Sequence, residues 1–375
     1  MKIEFYRHNI GEEEIRKVVE VLHSIFLTTG QVVYEFEGRF SDYLKCNHTI
    51  GVTSCTAAMH LALLAYDIRD GDEVITTPLS FIATANAILH IGAKPVFVDV
   101  EPETGNINAK LIESAITPWT KAIMPVHLYG QMCDMKAIKQ IADKYNLRII
   151  EDCAHCIEGE RDGIRPGQLS DAACFSFYAT KNITSGEGGA ISTNNSHIAD
   201  KLKRLRLHGM TKGAEERYTG KYQHWDMDSL GWKYNMDNIQ AALLLNQLER
   251  IEERWKRREA ICRRFEEAFR NTDGLSFPIV LPNSKSARHL FTIWVAPNQR
   301  DHILWNLQEK GIGVAVNFRP IHLMKFYQEQ FGYKEGNFPV AESIGARTIS
   351  LPMYPKLTER EQKYIIDTIV EVVKL

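Results

Sequence analysis

Residues 175–190 read FSFYATKNITSGEGGA, and this stretch decides the fold. Lys181 ends an apolar, strand-like run instead of lying on a charged helix face. Burial lowers the pKa of a lysine, which frees its amine to form a Schiff base or to take a proton. The glycines at 186, 188 and 189 let the backbone pass close to a ligand. An isolated lysine is usually a solvated surface charge, but this setting favours a reactive one.

An acidic residue ends another apolar run, 29 residues before Lys181. Asp152 follows the predicted strand Leu147–Glu151, and ligands of parallel sheets bind beyond the carboxyl ends of the strands. A carboxylate that faces a pyridinium nitrogen keeps the ring protonated, and the protonated ring is the electron sink for carbanion chemistry. Asp is also a common helix N-cap, so Asp152 taken alone leaves both interpretations open.

Small and hydroxylated residues lead directly into a predicted helix at Gly51–Ala58, which reads GVTSCTAA. Free backbone N–H groups and the positive end of the helix dipole make such a junction an anion site. An ordinary Ser/Thr N-cap gives the same pattern. The chain contains neither GxGxxG nor GxxxxGK[ST], so neither a dinucleotide-binding fold nor an NTPase loop is indicated.

Strand-like and helical runs alternate through the first half of the chain, which predicts an α/β fold with a large, mostly parallel sheet. An irregular polar and aromatic segment at 210–235 suits a functional loop or an arm between subunits. A single long helix is predicted over about 237–270, bridging to a smaller α/β unit at 288–375. We therefore predict a large domain at 1–240 and a small C-terminal domain, with the bridging helix, at 241–375. The predicted strands are EVIT at 73–76, PVFVD at 95–99, KAIMPV at 121–126, LRIIE at 147–151 and ACFSFY at 173–178.

Composition excludes several classes of protein. The 375 residues are 44% apolar and 25% charged, the balance of an ordinary globular protein. A formal net charge of −2 gives no broad basic field for nucleic acid or anionic lipid. Neither a signal peptide nor a membrane-spanning run is visible, so the expected location is the cytoplasm. Cys153 and Cys156 form a CxxC without a second ligand pair, which favours inert buried thiols over a redox or zinc site, and no metal is expected.

Six longer stretches carry a family resemblance. They are similar to the sugar aminotransferases grouped as the DegT/DnrJ/EryC1/StrS family, which have the type I fold of transferases dependent on pyridoxal phosphate (PLP). The resemblance spans essentially the whole chain. The stretches are TSCTAAMHLAL at 53–63, GDEVITTPLSFIATANAILHIGAKPVFVDV at 71–100, AIMPVHLYGQMCDM at 122–135, IIEDCAHCIEG at 149–159, FSFYATKNITSGEGGA at 175–190 and WKYNMDNIQAALLLNQL at 232–248.

The resemblance implies a role for each residue around the PLP ring. Lys181 resembles the lysine that holds the cofactor as a Schiff base and then moves the protons of the reaction. Asp152 resembles the partner of the ring nitrogen. His155 stands where the family places a His or Gln near the 3-hydroxyl group. Phe81 stands where an aromatic residue stacks on the ring, although a core Phe gives the same pattern.

The resemblance also implies a phosphate site and a shared dimer. Ser176 and the backbone of Cys55–Thr56 are expected to hold the phosphate. Cys55 departs from the more usual Gly or Ala, which puts the approach of the backbone to the phosphate in some doubt. Asn235 is expected to reach the phosphate of the neighbouring subunit, which would give the loop at 210–235 a purpose in a homodimer with shared active sites.

On the substrate side, the chain resembles enzymes that aminate C4 of a nucleotide-linked 4-keto sugar, with glutamate as donor. Asn317–His322 resembles the small-domain segment that these enzymes bring to the sugar, which makes Arg319 and His322 candidates. An exposed loop histidine is the alternative interpretation of His322 taken alone, and the less favoured one. Leu27–Gly30 resembles their substrate-side loop and makes Thr29 a candidate.

Three other functions compete with this interpretation. A PLP-dependent transaminase of amino acids or keto acids shares the fold. A desulfurase or lyase shares it too, but a desulfurase needs a catalytic cysteine in a mobile glycine-rich loop, and none is visible. A non-catalytic sugar-nucleotide sensor would not need Lys181, Asp152 and Ser176 together.

Overall fold

The computed structural model describes residues 1–213, 221 and 224–374. The predicted loop at 210–235 therefore falls partly outside the described residues, which omit 214–220, 222 and 223. The described ends of this loop are anchored on the body of the protein. Trp232 N donates to Leu205 O at 2.7 Å, and Tyr234 N donates to Arg206 O at 2.9 Å.

A seven-stranded sheet forms the centre of the described chain, in the order β1-β8-β7-β5-β4-β2-β3. The strands β7, β5, β4, β2 and β3 run parallel, and β8 is antiparallel to both β7 and β1. This confirms the predicted mostly parallel sheet. The strands of this sheet are β1 (His48–Val52), β2 (Glu73–Thr76), β3 (Lys94–Phe97), β4 (Thr120–Ile123), β5 (Arg148–Asp152), β7 (Ala172–Ser176) and β8 (Gly189–Thr193).

Two small antiparallel sheets complete the strands: β6 (Glu160–Arg161) with β9 (Ser284–Lys285), and β10 (Phe291–Trp294) with β11 (Thr348–Leu351). Short 3-10 turns occur at Glu113–Ala115, Leu128–Gly130 and Ile321–Leu323. The α-helices are α1 (Glu12–Leu22), α2 (Gln31–Leu44), α3 (Cys55–Ala65), α4 (Ala83–Leu89), α5 (Ala109–Ile112), α6 (Met135–Tyr145), α7 (Ser196–Leu205), α8 (Asn238–Glu249), α9 (Ile251–Phe269), α10 (Arg300–Glu309), α11 (Lys325–Phe331), α12 (Pro339–Arg347) and α13 (Glu359–Val373).

Helix α3 is buried on nearly every side, which explains its composition of small and apolar residues. Its N-cap is Ser54, whose side chain accepts a hydrogen bond from Ala57 N at 3.0 Å. It packs between the sheet and the helices α4 and α7. The start of α3 is thereby fixed beside the ends of β5 and β7, which places it at the edge of the sheet where ligands bind.

The predicted single helix over 237–270 is two helices. They meet at Arg250, whose φ of −99° and ψ of 11° interrupt the helical geometry. The Arg250 guanidinium pairs with Glu13 and Glu14 of α1. Helix α8 packs on α1 and α2, whereas α9 packs on α13. The two parts of the predicted helix therefore contact different regions of the chain.

The C-terminal part has its own core, built from α9, α10, α13, β10 and β11. Ile3, from the other end of the chain, is buried in this core beside Phe265 and Ile312. Ile3 N donates to Gly311 O, and Gly313 N donates to Ile3 O, both at 2.8 Å. The first residues thus pack with the predicted small domain, while the division into 1–240 and 241–375 stays a prediction.

None of the helices that the structure describes is both long enough and apolar enough to cross a membrane.

Candidate active site

A cavity of about 530 Å³ opens at the carboxyl ends of the parallel strands. Asp152 is the last residue of β5, and Ser176 is the last residue of β7. The start of α3 forms another wall. The cavity brings together all seven residues predicted to surround the PLP ring and its phosphate within one subunit: Cys55, Thr56, Phe81, Asp152, His155, Ser176 and Lys181.

Lys181 lies in a turn beyond β7 instead of at the strand end that the sequence predicted. Its backbone N donates to Tyr178 O at 2.9 Å, which closes the turn. Burial lowers the pKa of the Lys181 amine from 10.5 to about 8, against the opposing effect of the nearby Asp152 carboxylate. Among the described residues, none forms a hydrogen bond or ion pair with this amine. Lys181 therefore presents an amine that loses its proton easily.

Both oxygens of the Asp152 carboxylate accept hydrogen bonds. Thr84 Oγ1 donates to Oδ2 at 2.7 Å, and Ala154 N donates to Oδ1 at 3.0 Å. Because the Thr84 hydroxyl donates to Asp152, its oxygen accepts from Ser80 Oγ at 2.9 Å. The Cys55 thiol lies 3.9 Å from Oδ1. These donors satisfy the buried carboxylate of Asp152 and fix its orientation.

His155 is held as a neutral ring of one tautomer. Tyr129 N donates to Nδ1 at 3.3 Å, so Nδ1 carries no proton and Nε2 carries it. Burial and the charge of Lys181 hold the pKa of His155 well below 6.5. The ring stacks on Phe318 with centroids 5.7 Å apart and an angle of 13° between planes. His155 therefore offers an N–H donor at Nε2.

The phosphate side of the cavity is built from backbone that packs closely. A side chain at Gly189 would place its first carbon 2.4 Å from the carbonyl carbon of Ser54 and 2.6 Å from the nitrogen of Cys55. Only glycine therefore lets β8 lie against the start of α3. The hydroxyl of Ser176 accepts from Tyr178 N at 3.4 Å. A helix start beside a buried hydroxyl suits an anion.

Phe81 lines the cavity with 58% of its surface exposed, so it is not part of the core. Its ring centroid is 6.2 Å from that of Phe318, which also lines the cavity. An aromatic face that is free at the rim of a cavity is available for stacking on a planar ligand.

Thr29 and Asn235 do not line the cavity of their own subunit. They are buried together: Asn235 Nδ2 donates to Thr29 Oγ1 at 2.7 Å, and Thr29 Oγ1 donates to Met236 O at 2.6 Å. Lys233 donates to Asn235 Oδ1. The predicted reach of Asn235 into a neighbouring subunit is not tested by a single chain and stays a prediction.

Arg319 and His322 also lie outside the cavity lining, although Asn317 and Phe318 of the same segment belong to it. His322 has no exposed surface, and its Nε2 is 2.9 Å from Glu342 Oε1. Arg319 is exposed and donates to Leu323 O at 3.1 Å. The substrate roles of both stay predictions, and His322 could touch a substrate only after moving.

Several cavity residues were not singled out by the sequence: Phe5, Thr84 and His289. Phe5 and His289 come from segments far from the motifs around Lys181. Thr84 belongs to the short helix α4, where a Thr is unremarkable. Contacts between segments that are distant in the sequence leave no local sequence pattern from which they could be predicted.

The cysteines of the described chain are free, and those of the CxxC are buried as expected. Burial raises the pKa of the Cys153 and Cys156 thiols well above 9.0. Cys153 also lies near His127 and Glu151. His127 Nδ1 accepts from Cys133 N at 3.1 Å, so its Nε2 donates to Glu151 Oε2 at 2.5 Å. This pair is satisfied by hydrogen bonds and needs no ion.

The chain is similar to known aminotransferases along nearly its whole length. The sequence model that describes the DegT/DnrJ/EryC1/StrS aminotransferase family matches residues 8–370 of this chain. The spore coat polysaccharide biosynthesis protein SpsC of Bacillus subtilis is 43% identical over 371 residues, covering 97% of this chain and 95% of SpsC.

Solved structures of similar proteins cover the full chain. The Spr1654 protein of Streptococcus pneumoniae, in its pyridoxamine phosphate (PMP) form, has a TM-score of 0.94 at 31% identity and covers 100% of this chain and 99% of its own. Helicobacter pylori PseC, an aminotransferase involved in the biosynthesis of pseudoaminic acid, has a TM-score of 0.93 at 29% identity, with 100% of each chain covered.

Proposed function

Because the chain belongs to the DegT/DnrJ/EryC1/StrS aminotransferase family, we propose that it moves an amino group from glutamate to C4 of a nucleotide-linked 4-keto sugar. The chain is a PLP-dependent sugar aminotransferase with the matching α/β fold. We propose glutamate as the donor, C4 as the position that is aminated, and a nucleotide-linked, 6-deoxy sugar as the acceptor. We further propose that the reaction takes place in the cytoplasm and that the amino sugar is used for cell-surface polysaccharide.

One observation carries the proposal: the cavity combines an amine of lowered pKa, a buried carboxylate and a helix start. These groups fit PLP. A cavity of about 530 Å³ lies in the range of about 300–1,000 Å³ typical of small-molecule sites. The Lys181 amine suits the aldehyde, Asp152 suits the ring nitrogen, and Ser176 with the start of α3 suits the phosphate.

When bound, PLP supplies an aldehyde for amine exchange and a ring that withdraws electrons from the reacting carbon. Lys181 then acts as the base that removes and returns a proton at that carbon, because its pKa of about 8 keeps part of the amine uncharged near neutral pH. The hydrogen bonds from Thr84 and Ala154 hold the Asp152 carboxylate in a fixed orientation, where it would face the ring nitrogen. The Nε2–H of His155 gives a fixed donor beside them.

The remaining residues support binding and orientation. The exposed face of Phe81 would cover the planar ring, and Cys55 and Thr56 would offer backbone N–H groups to the phosphate at the start of α3. A nucleotide attached to the sugar supplies binding energy far from the reacting carbon, which can be used to orient that carbon. Thr29, Arg319 and His322 are proposed to contact this substrate in the complete, ligand-bound assembly.

We also propose a homodimer with shared active sites. Asn235 is buried beside Thr29 instead of lining its own cavity. Exposed apolar side chains also support an interface, because a group of them on a protein surface marks a site of contact with another chain. They lie on α1 and in the segment that follows it: Ile15, Val19, Leu22, Ile25 and Leu27.

Rapid mixing tests the assignment of the substrates. The purified enzyme, loaded with PLP, is first converted to its pyridoxamine form with glutamate, which changes its visible spectrum. It is then mixed with dTDP- and UDP-linked 4-keto-6-deoxyglucose, with the free keto sugar, and with 2-oxoglutarate and pyruvate. We expect the nucleotide-linked sugars to restore the original spectrum far faster than the free sugar. If only keto acids restore it, the enzyme is an amino-acid transaminase.

A further inference from the structure

His289 lines the cavity but belongs to none of the motifs that predicted the site. It lies between β9 and β10, and only 5% of its surface is exposed. Its ring centroid is 4.5 Å from that of His155. Two neighbouring imidazole rings therefore border the same cavity, and the hydrogen-bonding role of each follows from its partners.

The orientation of Asn182 sets the role of His289. Asn182 Nδ2 lies 2.9 Å from Glu158 Oε2 and 3.0 Å from Ala287 O. A carboxylate and a carbonyl can only accept, so the amide NH₂ group must face them. The Asn182 oxygen then faces His289 Nδ1 at 3.2 Å. Reversing the amide would set an oxygen against two acceptors and is excluded.

The protonation of His289 follows directly. Because Asn182 Oδ1 can only accept, Nδ1 of His289 carries the proton and donates it. In a neutral ring Nε2 is then an unprotonated acceptor. No described residue donates a hydrogen bond to this atom. Unlike Nδ1 of His60 and of His322, which are enclosed without a partner, Nε2 of His289 is accessible to solvent. The Nε2 lone pair of His289 is therefore open to the cavity.

The two rings thus have opposite roles. His155 presents an N–H donor, because its Nδ1 accepts from Tyr129 N. His289 presents an acceptor. Burial and the nearby charge of Lys181 hold the pKa of His289 well below 6.5, so the ring stays neutral at physiological pH.

A buried ion pair holds this arrangement in place. Glu158 is fully buried and pairs with Arg258 of α9, which is 2% exposed. The other oxygen of Glu158 accepts from Asn182. The contacts run from Arg258 through Glu158 and Asn182 to His289, so the acceptor is fixed before any substrate binds.

We propose that His289 is a specificity residue that accepts a hydrogen bond from a hydroxyl group of the sugar substrate. A sugar carries several O–H donors, whereas the carboxylates of an amino or keto acid carry none and meet an unfavourable lone pair at Nε2. The inference rests on the proposed function, since it names the group that distinguishes sugar from keto acid within the same cavity.

The test compares the two half-reactions in His289→Phe and His289→Gln. Phenylalanine removes the acceptor, whereas the glutamine amide oxygen can take the place of Nε2. For His289→Phe we expect the half-reaction with nucleotide-linked keto sugar to slow by about 10- to 100-fold, the loss typical of an unpaired polar group. The glutamate half-reaction should change by less than about 3-fold, because a carboxylate gains nothing from this acceptor. His289→Gln should recover most of the sugar rate.

A second measurement does not depend on activity. Nitrogen-15 NMR of the histidine-labelled enzyme should show His289 protonated at Nδ1, and Asn182→Leu should abolish that preference. Equal slowing of both half-reactions, an unchanged sugar rate in His289→Phe, or a wild-type His289 protonated at Nε2 would each overturn the inference. Failure of the wild-type enzyme with every nucleotide-linked sugar would instead overturn the proposed function, and the NMR result would still report on His289.

Discussion

The lowered pKa of Lys181 predicts how fast the cofactor-free enzyme captures PLP at each pH. Only the uncharged amine attacks an aldehyde. With a pKa of about 8, about one Lys181 amine in ten is uncharged at pH 7. With the ordinary lysine pKa of 10.5, only about one in three thousand would be uncharged at the same pH. The capture rate should therefore rise about tenfold per pH unit below pH 8 and level off above it. Nα-acetyl-lysine, measured alongside, corrects for the titration of PLP itself.

The assay follows the absorbance of the enzyme after mixing with PLP, and borohydride reduction with mass analysis identifies the lysine that reacted. Asp152→Asn is the matched variant. The charge of Asp152 raises the pKa of Lys181, so the variant should move the midpoint of the pH profile downward. A wild-type midpoint at pH 10 or above would refute the argument that burial activates this amine.

Four further outcomes are expected. Lys181→Ala should abolish turnover, keep the fold by circular dichroism, and show no borohydride-reducible bond to PLP. Asp152→Asn should slow the glutamate half-reaction in single-turnover experiments by about 10²–10³-fold, the cost of losing one preorganised group; a near-normal rate would assign the role elsewhere. A verified heterodimer of Lys181→Ala and Asn235→Ala subunits should recover some activity, because one of its shared sites carries neither change. Arg258→Met should lower the free energy of unfolding by about 3–5 kcal/mol, since it leaves Glu158 buried without its charged partner; denaturant titration measures this, and adding Glu158→Gln should restore part of the loss.

The sequence predicted the parts of the fold that depend on local patterns. Five apolar runs became the parallel strands, and Asp152 ends β5 as expected. The strands β1 and β8 were not predicted, and their antiparallel pairing joins residues more than a hundred positions apart, which no local pattern indicates. The interruption at Arg250 had no Gly or Pro to mark it. Its guanidinium contacts Glu13 and Glu14, which no local pattern could indicate.

The candidate site divides in the same way. Residues next to specific motifs, such as Lys181 and Ser176, were predicted and lie in one cavity. Thr84 and His289 were missed, because their importance comes from their partners, Asp152 and Asn182. A threonine in a short helix and a histidine before a strand become informative only when tertiary packing is known.

The burial of Ile3 in the C-terminal core has a consequence for synthesis of the chain. Ile3 pairs with Gly311 and Gly313, which are made about 300 residues later, a delay of roughly 15–60 s at ordinary rates of translation. Until then the first residues have no strand to join, and their unpaired backbone is open to chaperones or to other chains. Phe5, two positions from Ile3, lines the cavity. Ile3 and Phe5 therefore leave the ribosome long before the segment that holds them beside the active site is made.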